Sequence, residues 1–235
     1  QKDIYLNRMV LIRQGYVVAD VPFYRSTSGA PFERESATTG FLATLIGIAI
    51  DQGHIQNEQQ TVLSFFPGRP VANRDARKEA ITIADLLTMR SGLECDGLET
   101  TMEMVQSPDW VQFMLDRPMD TEPGAEFSFC DGNAHLLAAV LQQATGMRLL
   151  DYAQAHLFGP LGIDQVEWDT DPQGVHLGWT GLRMAPTDTA RLGYLYLHQG
   201  RWDGRQVVSA EWVAAATSPR LTVGDMGFGY LWWAD

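Results

Sequence analysis

Ser36 stands just ahead of an apolar run, Phe41-Leu-Ala-Thr-Leu-Ile-Gly-Ile-Ala-Ile50, at or just before the first turn of the helix that this run predicts. A serine hydroxyl attacks an acyl group only when a nearby base takes its proton, because the free alcohol is a poor nucleophile near neutral pH. The same hydroxyl at a helix start can simply cap backbone N–H groups, so both roles stand for Ser36. The five histidines, His54, His135, His156, His176 and His198, never pair at i, i+3 or i, i+4, and no Cys/His cluster has zinc-like spacing. No metal and no cofactor is therefore expected. Glu167, Asp169 and Asp171 read as a solvated turn rather than a calcium loop, whose central glycine and closing glutamate are missing. Cys95 and Cys130 leave three readings open: a disulfide, two buried thiols, or a remnant of chemistry. The seven tryptophans suggest either an aromatic ligand cleft or, for most of them, core and lobe packing.

These groups must be held by elements that the residue pattern outlines. Met9-Val-Leu-Ile12 and Tyr16-Val-Val-Ala-Asp-Val21 flank Arg-Gln-Gly15, which predicts a hairpin turning on the glycine. A loop over Ser26 to Pro31 follows, and then the Phe41–Ile50 helix, closed by Gly53. Thr82-Ile-Ala-Asp85 predicts a capped helix start running through Met89, and Ser107-Pro108 another, with proline at its first position. Helices are expected over Asn133–Thr145, closed by Gly146, and over Leu150–Leu157. Val166-Glu-Trp168 and Val175-His-Leu177 form an expected second hairpin. Thr187–His198 and the Ser209-capped stretch through Ala216 are amphipathic helices, Trp202-Asp-Gly204 is a turn, and Phe228–Trp233 is a strand.

The bulk numbers exclude whole classes of partner. With 17 basic against 29 acidic residues the net charge is −12, which repels phosphate backbones and anionic lipid. Nucleic acid is thus excluded. The longest apolar run covers about half of the ~20 residues a bilayer span needs, so no membrane span is expected. At 235 residues and 45% apolar content the chain can bury one large core, and no repeat or linker divides it.

Seven phrases in order resemble the serine β-lactamase and penicillin-binding-protein-like family of class C β-lactamases, D-alanyl-D-alanine carboxypeptidases and β-lactamase-like esterases. They are Glu35-Ser-Ala-Thr-Thr-Gly-Phe41 with the helix behind it, Ile81-Thr-Ile-Ala-Asp-Leu-Leu-Thr-Met-Arg-Ser-Gly-Leu93, Pro123-Gly-Ala-Glu-Phe-Ser-Phe129, and Asn133-Ala-His-Leu-Leu137. Leu157-Phe-Gly-Pro-Leu-Gly-Ile163, Gly181-Leu-Arg-Met-Ala-Pro-Thr-Asp188 and Gly193-Tyr-Leu-Tyr-Leu197 with Trp202-Asp-Gly204 complete the series. The resemblance implies an α+β fold in one domain over 1–235, with an antiparallel sheet flanked by helices beside an all-helical lobe. The sheet lobe would take about 1–30 and 180–235, and the helical lobe about 31–179.

It also implies a site. In the family a lysine three residues after the serine shares its helical face and takes its proton, and a tyrosine from a Tyr-x-Asn motif shuttles that proton onward. The matching positions here are Ser36-Ala-Thr-Thr39 and Phe129-Cys-Asp131: the lysine is Thr39, the tyrosine Phe129, the asparagine Asp131. The chain has two lysines, Lys2 and Lys78, and neither follows a serine by three residues. Losing general acid–base help costs roughly 10²–10⁴-fold in rate, so the resemblance implies a serine hydrolase for small esters, amides or β-lactams with impaired or no turnover. The alternative is a non-catalytic homologue that binds a ligand or protein partner in the cleft.

The remaining groups offer few substitute bases. His54 lies roughly 27 Å from Ser36 along one helix at about 1.5 Å per residue. His135 either faces the cleft or packs away from it, and Asp131 is the better candidate, set against a carboxylate that merely meets a helix dipole. The family's third motif, Lys-Thr-Gly or His-x-Gly, is expected after Asp235; His176-Leu-Gly178 has the letters but comes too early. The C-terminal strands of the sheet are expected to lie there too, supplied by a further segment or another subunit. In the family fold both cysteine phrases approach the cleft, which implies a Cys95–Cys130 disulfide and, if bonded, favours a periplasmic or extracellular setting.

Overall fold

The computed structural model describes residues 8–23 and 32–234; Lys2 and the Ser26–Pro31 loop lie outside them. β1 (Arg8–Arg13) and β2 (Tyr16–Pro22) pair antiparallel, turning on Gln14 and Gly15, both at positive φ, with a bulge between Leu11 and Ile12. That is the hairpin expected from the residue pattern. It rests on one side against a late helix, and Leu11, Val17 and Val18 are each about half exposed.

β3 (Phe32–Glu33) leads through a 3₁₀ turn, Glu35–Ala37, into α1 (Thr38–Asp51). This helix is apolar on every side, and eleven of its residues, from Thr38 to Ala49, are buried. An all-round apolar helix has no solvent face and can only be central; each large side chain it buries contributes about 1.5–3 kcal/mol. Gly47 permits the close crossing of Trp212, since a Cβ there would stand 2.2 Å from the indole, and the Trp212 Nε1–H donates to the Ala43 carbonyl at 3.0 Å.

The helical half follows the capping residues closely. α2 (Ala76–Ala80) starts on Asp75, and α3 (Ile83–Leu87) has the reciprocal Thr82–Asp85 capping box. α4 (Leu98–Gln106) was not anticipated. α5 (Trp110–Asp116) is capped by Asp109, whose carboxylate accepts from the Gln112 N–H, so Pro108 precedes the cap instead of opening the helix. α6 (Asp131–Thr145) packs against α1, α3, α4 and α5, and closes on Gly146 in the left-handed conformation. α7 (Leu149–Ala153) continues into a π-helical turn, Gln154–Phe158.

The strands differ most from expectation. β4 (Glu167–Trp168) pairs with β5 (Leu182–Met184), which also pairs with β3, giving the order β3-β5-β4; Val175–Leu177 contributes only a single bridge, Thr170 to His176. The expected second hairpin is therefore replaced by a longer-range ladder. α8 (Pro186–Leu197) has proline at its start, and β6 (Arg201–Trp202) and β7 (Arg205–Gln206) form the Asp203-Gly204 turn. α9 (Ala210–Thr217) is capped by Ser209 as expected. The Phe228–Trp233 stretch is bent rather than a single strand: β8 (Leu221–Val223), β9 (Met226–Phe228) and β10 (Trp233–Ala234) form a small antiparallel sheet, with Leu231 at φ 58° in the reversal. Together these make an α+β fold of small antiparallel sheets packed with helices.

Candidate active site

The four residues singled out by motif position come together. Ser36, Thr39, Phe129 and Asp131 all line one cavity of about 640 Å³, closed by Met89, Trp179, Leu192, Phe228, Leu231, Trp232 and Trp233. Ser36 arrives exposed on the 3₁₀ turn, presented by Glu35 in a left-handed conformation at φ 45°. A non-glycine residue there carries strain, which persists where the surroundings over-determine it. Met89 and Leu231 in the wall have the same conformation, at φ 55° and 58°. Both are pinned: the Ser128 N–H donates to the Met89 carbonyl and the Leu231 N–H to the Leu87 carbonyl, each at 2.9 Å.

Thr39 sits one turn along α1, and its hydroxyl donates to the Ser36 carbonyl at 2.8 Å. Its proton is thus spent on backbone, and a neutral alcohol near pH 7 takes none from Ser36. Phe129 presents a ring that is 43% exposed and has no hydroxyl to move a proton. Lys78 offers no rescue: its ammonium is buried in the helical half and donates to the carbonyls of Ala72, Leu115 and Arg117 at 2.8, 2.9 and 2.6 Å. Tyr196 stacks behind Trp232 with ring centroids 4.4 Å apart, but its hydroxyl is 2.9 Å from the Thr44 hydroxyl, and burial pushes its pKa up to about 12.

Asp131 opens α6 and, among the described residues, is the one ionisable side chain in the lining. Burial pushes its carboxyl above the usual range, partly offset by the Thr101 hydroxyl, which donates to Oδ2 at 3.0 Å. The histidines lie elsewhere. His54 is exposed beyond the end of α1. His135 packs away from the cavity: it is fully buried, with Nε2 3.1 Å from the Asp171 Oδ2. Asp171 is correspondingly no solvated turn residue. It also accepts from the N–H groups of Gln173 and Val175, both at 2.8 Å, and lies well below the carboxylate range despite its burial. Of the other two acids, Glu167 is exposed and Asp169 pairs with Arg183. His176 is buried beside Trp168, and burial lowers its pKa to about 4; the His176-Leu-Gly178 letters thus belong to packing.

The motif positions did not disclose the aromatic wall. Trp179, Trp232 and Trp233 line the cavity, whereas Trp110, Trp168 and Trp212 pack into the core or against it. Trp179 is backed by His135, with ring centroids 5.5 Å apart, and its loop is tied to β3 where the Thr180 hydroxyl and the Gly181 N–H donate to Glu33. No local periodicity marks these tryptophans, because their shared wall exists only after β5, α6 and β10 have docked.

Cys95 and Cys130 are bonded, with Cα atoms 6.1 Å apart, within the roughly 7 Å that a bridge tolerates. Cys130 is the residue between Phe129 and Asp131, so the bridge fixes the α6 start that carries both. It closes a loop of sequence separation 35, for which the chain-entropy model gives about 3–4 kcal/mol. The Cys95→Ala/Cys130→Ala variant is expected to lose about that much in urea unfolding, and an unchanged midpoint would show the bridge to be energetically idle.

Comparisons with known proteins agree with the fold. The family model described as Beta-lactamase matches residues 5–234. The chain is 26% identical over 240 residues to a 6-aminohexanoate-dimer hydrolase of Paenarthrobacter ureafaciens, covering 93% of this chain and 59% of that protein. A D-aminopeptidase of Brucella anthropi is 35% identical over 100 residues, covering 40% of this chain and 19% of its own length. Among solved structures, an octameric penicillin-binding protein homologue from Pyrococcus abyssi superposes with a TM-score of 0.75 at 22% identity, covering 95% of this chain and 59% of that one. The chain thus spans about three fifths of the hydrolase that it matches along most of its own length.

Proposed function

This chain belongs to the beta-lactamase family, and from that premise we propose that its cavity takes small esters, amides or β-lactams, with Ser36 as an acyl acceptor whose activation is severely weakened. One observation carries the reading: Ser36 shares the cavity with Thr39 and Phe129, and among the described residues the lining contains no lysine, histidine or tyrosine. Ser36 can then be acylated only by an activated carbonyl, and among the described residues no strong base in the lining drives water onto the acyl-enzyme. Asp131, in the same lining, is the group best placed to stand in as a weak base. A dimer hydrolase and an aminopeptidase among the relatives support keeping amides in the substrate class. The Cys95–Cys130 bridge supports a periplasmic or extracellular setting.

The test is incubation with a chromogenic cephalosporin and a short-chain nitrophenyl ester, followed by intact-mass measurement. The expected result is slow formation of a single acyl adduct, lost in Ser36→Ala, without rapid turnover. Fast turnover abolished by Ser36→Ala would overturn the weakened reading. Complete absence of an adduct would leave the second reading, a cleft that binds without reacting. That reading is favoured by the Thr39 hydroxyl being engaged by the Ser36 carbonyl.

A further inference from the structure

The cavity is unusual in its balance of charge and ring faces. Among the described residues its lining holds six aromatic side chains, Phe41, Phe129, Trp179, Phe228, Trp232 and Trp233, against a single carboxylate, Asp131, and no arginine or lysine. Asp131 has no cationic partner among the described residues: its one side-chain hydrogen bond is the Thr101 hydroxyl on Oδ2. Oδ1 carries no hydrogen bond and is not among the buried unsatisfied atoms, so it is an accessible, unpartnered acceptor on a residue that lines the cavity. A carboxylate beside aromatic faces in a partly dry site lacks a counter-ion, and aromatic faces attract a cation by their quadrupole. The same surroundings penalise an anion. A volume of about 640 Å³ lies within the range of small-molecule sites. The chain's net charge of −12 adds a long-range pull of the same sign.

We propose that this cavity is a binding site for organic ammonium compounds, with Asp131 Oδ1 taking the ammonium N–H and the Phe129, Trp179, Trp232 and Trp233 rings covering its carbon chain. The inference rests on the proposed function only in taking this cavity as the substrate cleft, and it narrows the substrate class to amides or esters that carry a cationic amine. It also assigns Asp131 a purpose at a position where the resembling family has asparagine: a neutral amide cannot match an ammonium, and an anion can.

Binding alone tests this, without turnover. The chain is titrated with hexylammonium, 1-hexanol and hexanoate at constant ionic strength, following tryptophan fluorescence and heat, in wild type, Asp131→Asn and Ser36→Ala. Hexylammonium is expected to bind about tenfold more tightly than hexanol, equivalent to about 1.4 kcal/mol, from the charge-assisted bond to Asp131. The preference should vanish in Asp131→Asn, with hexanol affinity kept, and persist in Ser36→Ala. Preference below twofold in wild type, or full preference in a folded Asp131→Asn, would overturn the proposal. Hexanoate needs no variant: it should bind more weakly than hexanol to wild type, and equal or tighter binding would also overturn it. Cation preference without any acyl adduct on Ser36 would defeat only the hydrolase reading, whereas an adduct without cation preference would defeat only this one.

Discussion

Replacing Thr39 with lysine and Phe129 with tyrosine together is expected to raise the rate of Ser36 acylation and turnover by about 10²–10⁴-fold, the range that general acid–base help supplies. Thr39 is one helical turn from Ser36 and faces the same cavity, so a lysine amine there can reach the hydroxyl. Phe129 differs from tyrosine by one hydroxyl, and its exposed ring leaves room for it. Groups that act as a unit are not additive, so either change alone should give much less than half of the logarithmic gain. Asp131 sets a limit on the pair. A carboxylate in the same lining favours the charged form of a new ammonium, and a protonated lysine is no base. Adding Asp131→Asn should therefore raise the rate further and shift the basic limb needed for activity to lower pH. Initial rates with the nitrophenyl ester across pH for the double and triple variants measure both effects. A double and triple variant that fold and stay at wild-type rates would show that the defect lies beyond these positions.

The largest expected stability loss lies away from the cavity. Lys78→Met removes an ammonium that satisfies the carbonyls of Ala72, Leu115 and Arg117 at once, leaving one buried and two partly buried acceptors without their donor. Hydrogen bonds to a charged group contribute about 1.5–3 kcal/mol each, and abandoned buried acceptors carry a desolvation penalty. Methionine refills most of the volume but none of the bonding, so a net loss of about 3–5 kcal/mol is expected. Burial lowers the Lys78 pKa, while Asp116 and Asp75 raise it. The ammonium is therefore held chiefly by carbonyls and supported by those carboxylates. Urea unfolding of the variant checks the figure, and a loss under 1 kcal/mol would mean that these carbonyls find other donors.

How far the fold could be read in advance depended on how local its causes are. Thr82 with Asp85, Ser209 and Gly146 mark helix ends through bonds within a few residues, and those ends were legible. Strand partners are chosen across the chain. Glu167–Trp168 meets Leu182–Met184 because β3 completes that ladder from more than 130 residues away, a match that the nearby Val175–Leu177 alternation conceals. Asp171 reads as a solvent group until α6 brings His135 to it. Ser36, Thr39, Phe129 and Asp131 were tied together by motif spacing, and the fold places all four in the lining of one cavity. The tryptophan wall was one of two open readings, since core and cleft tryptophans look alike in a string of letters.

The left-handed backbones of Glu35, Met89 and Leu231 have a consequence for the heritable variation this chain can tolerate. A side chain in that conformation costs about 1–2 kcal/mol relative to a relaxed one, and glycine escapes the cost. Met89 and Leu231 line the cavity and are buried, so glycine there would relieve the strain but lose about 2–5 kcal/mol of core packing, whereas exposed Glu35, next to Ser36, has no such packing to lose. Laboratory evolution selecting only for thermal survival should therefore collect glycine at Glu35 and loosen the presentation of Ser36 as it does so, whereas selection for ligand discrimination should keep all three strained residues and accept a softer protein.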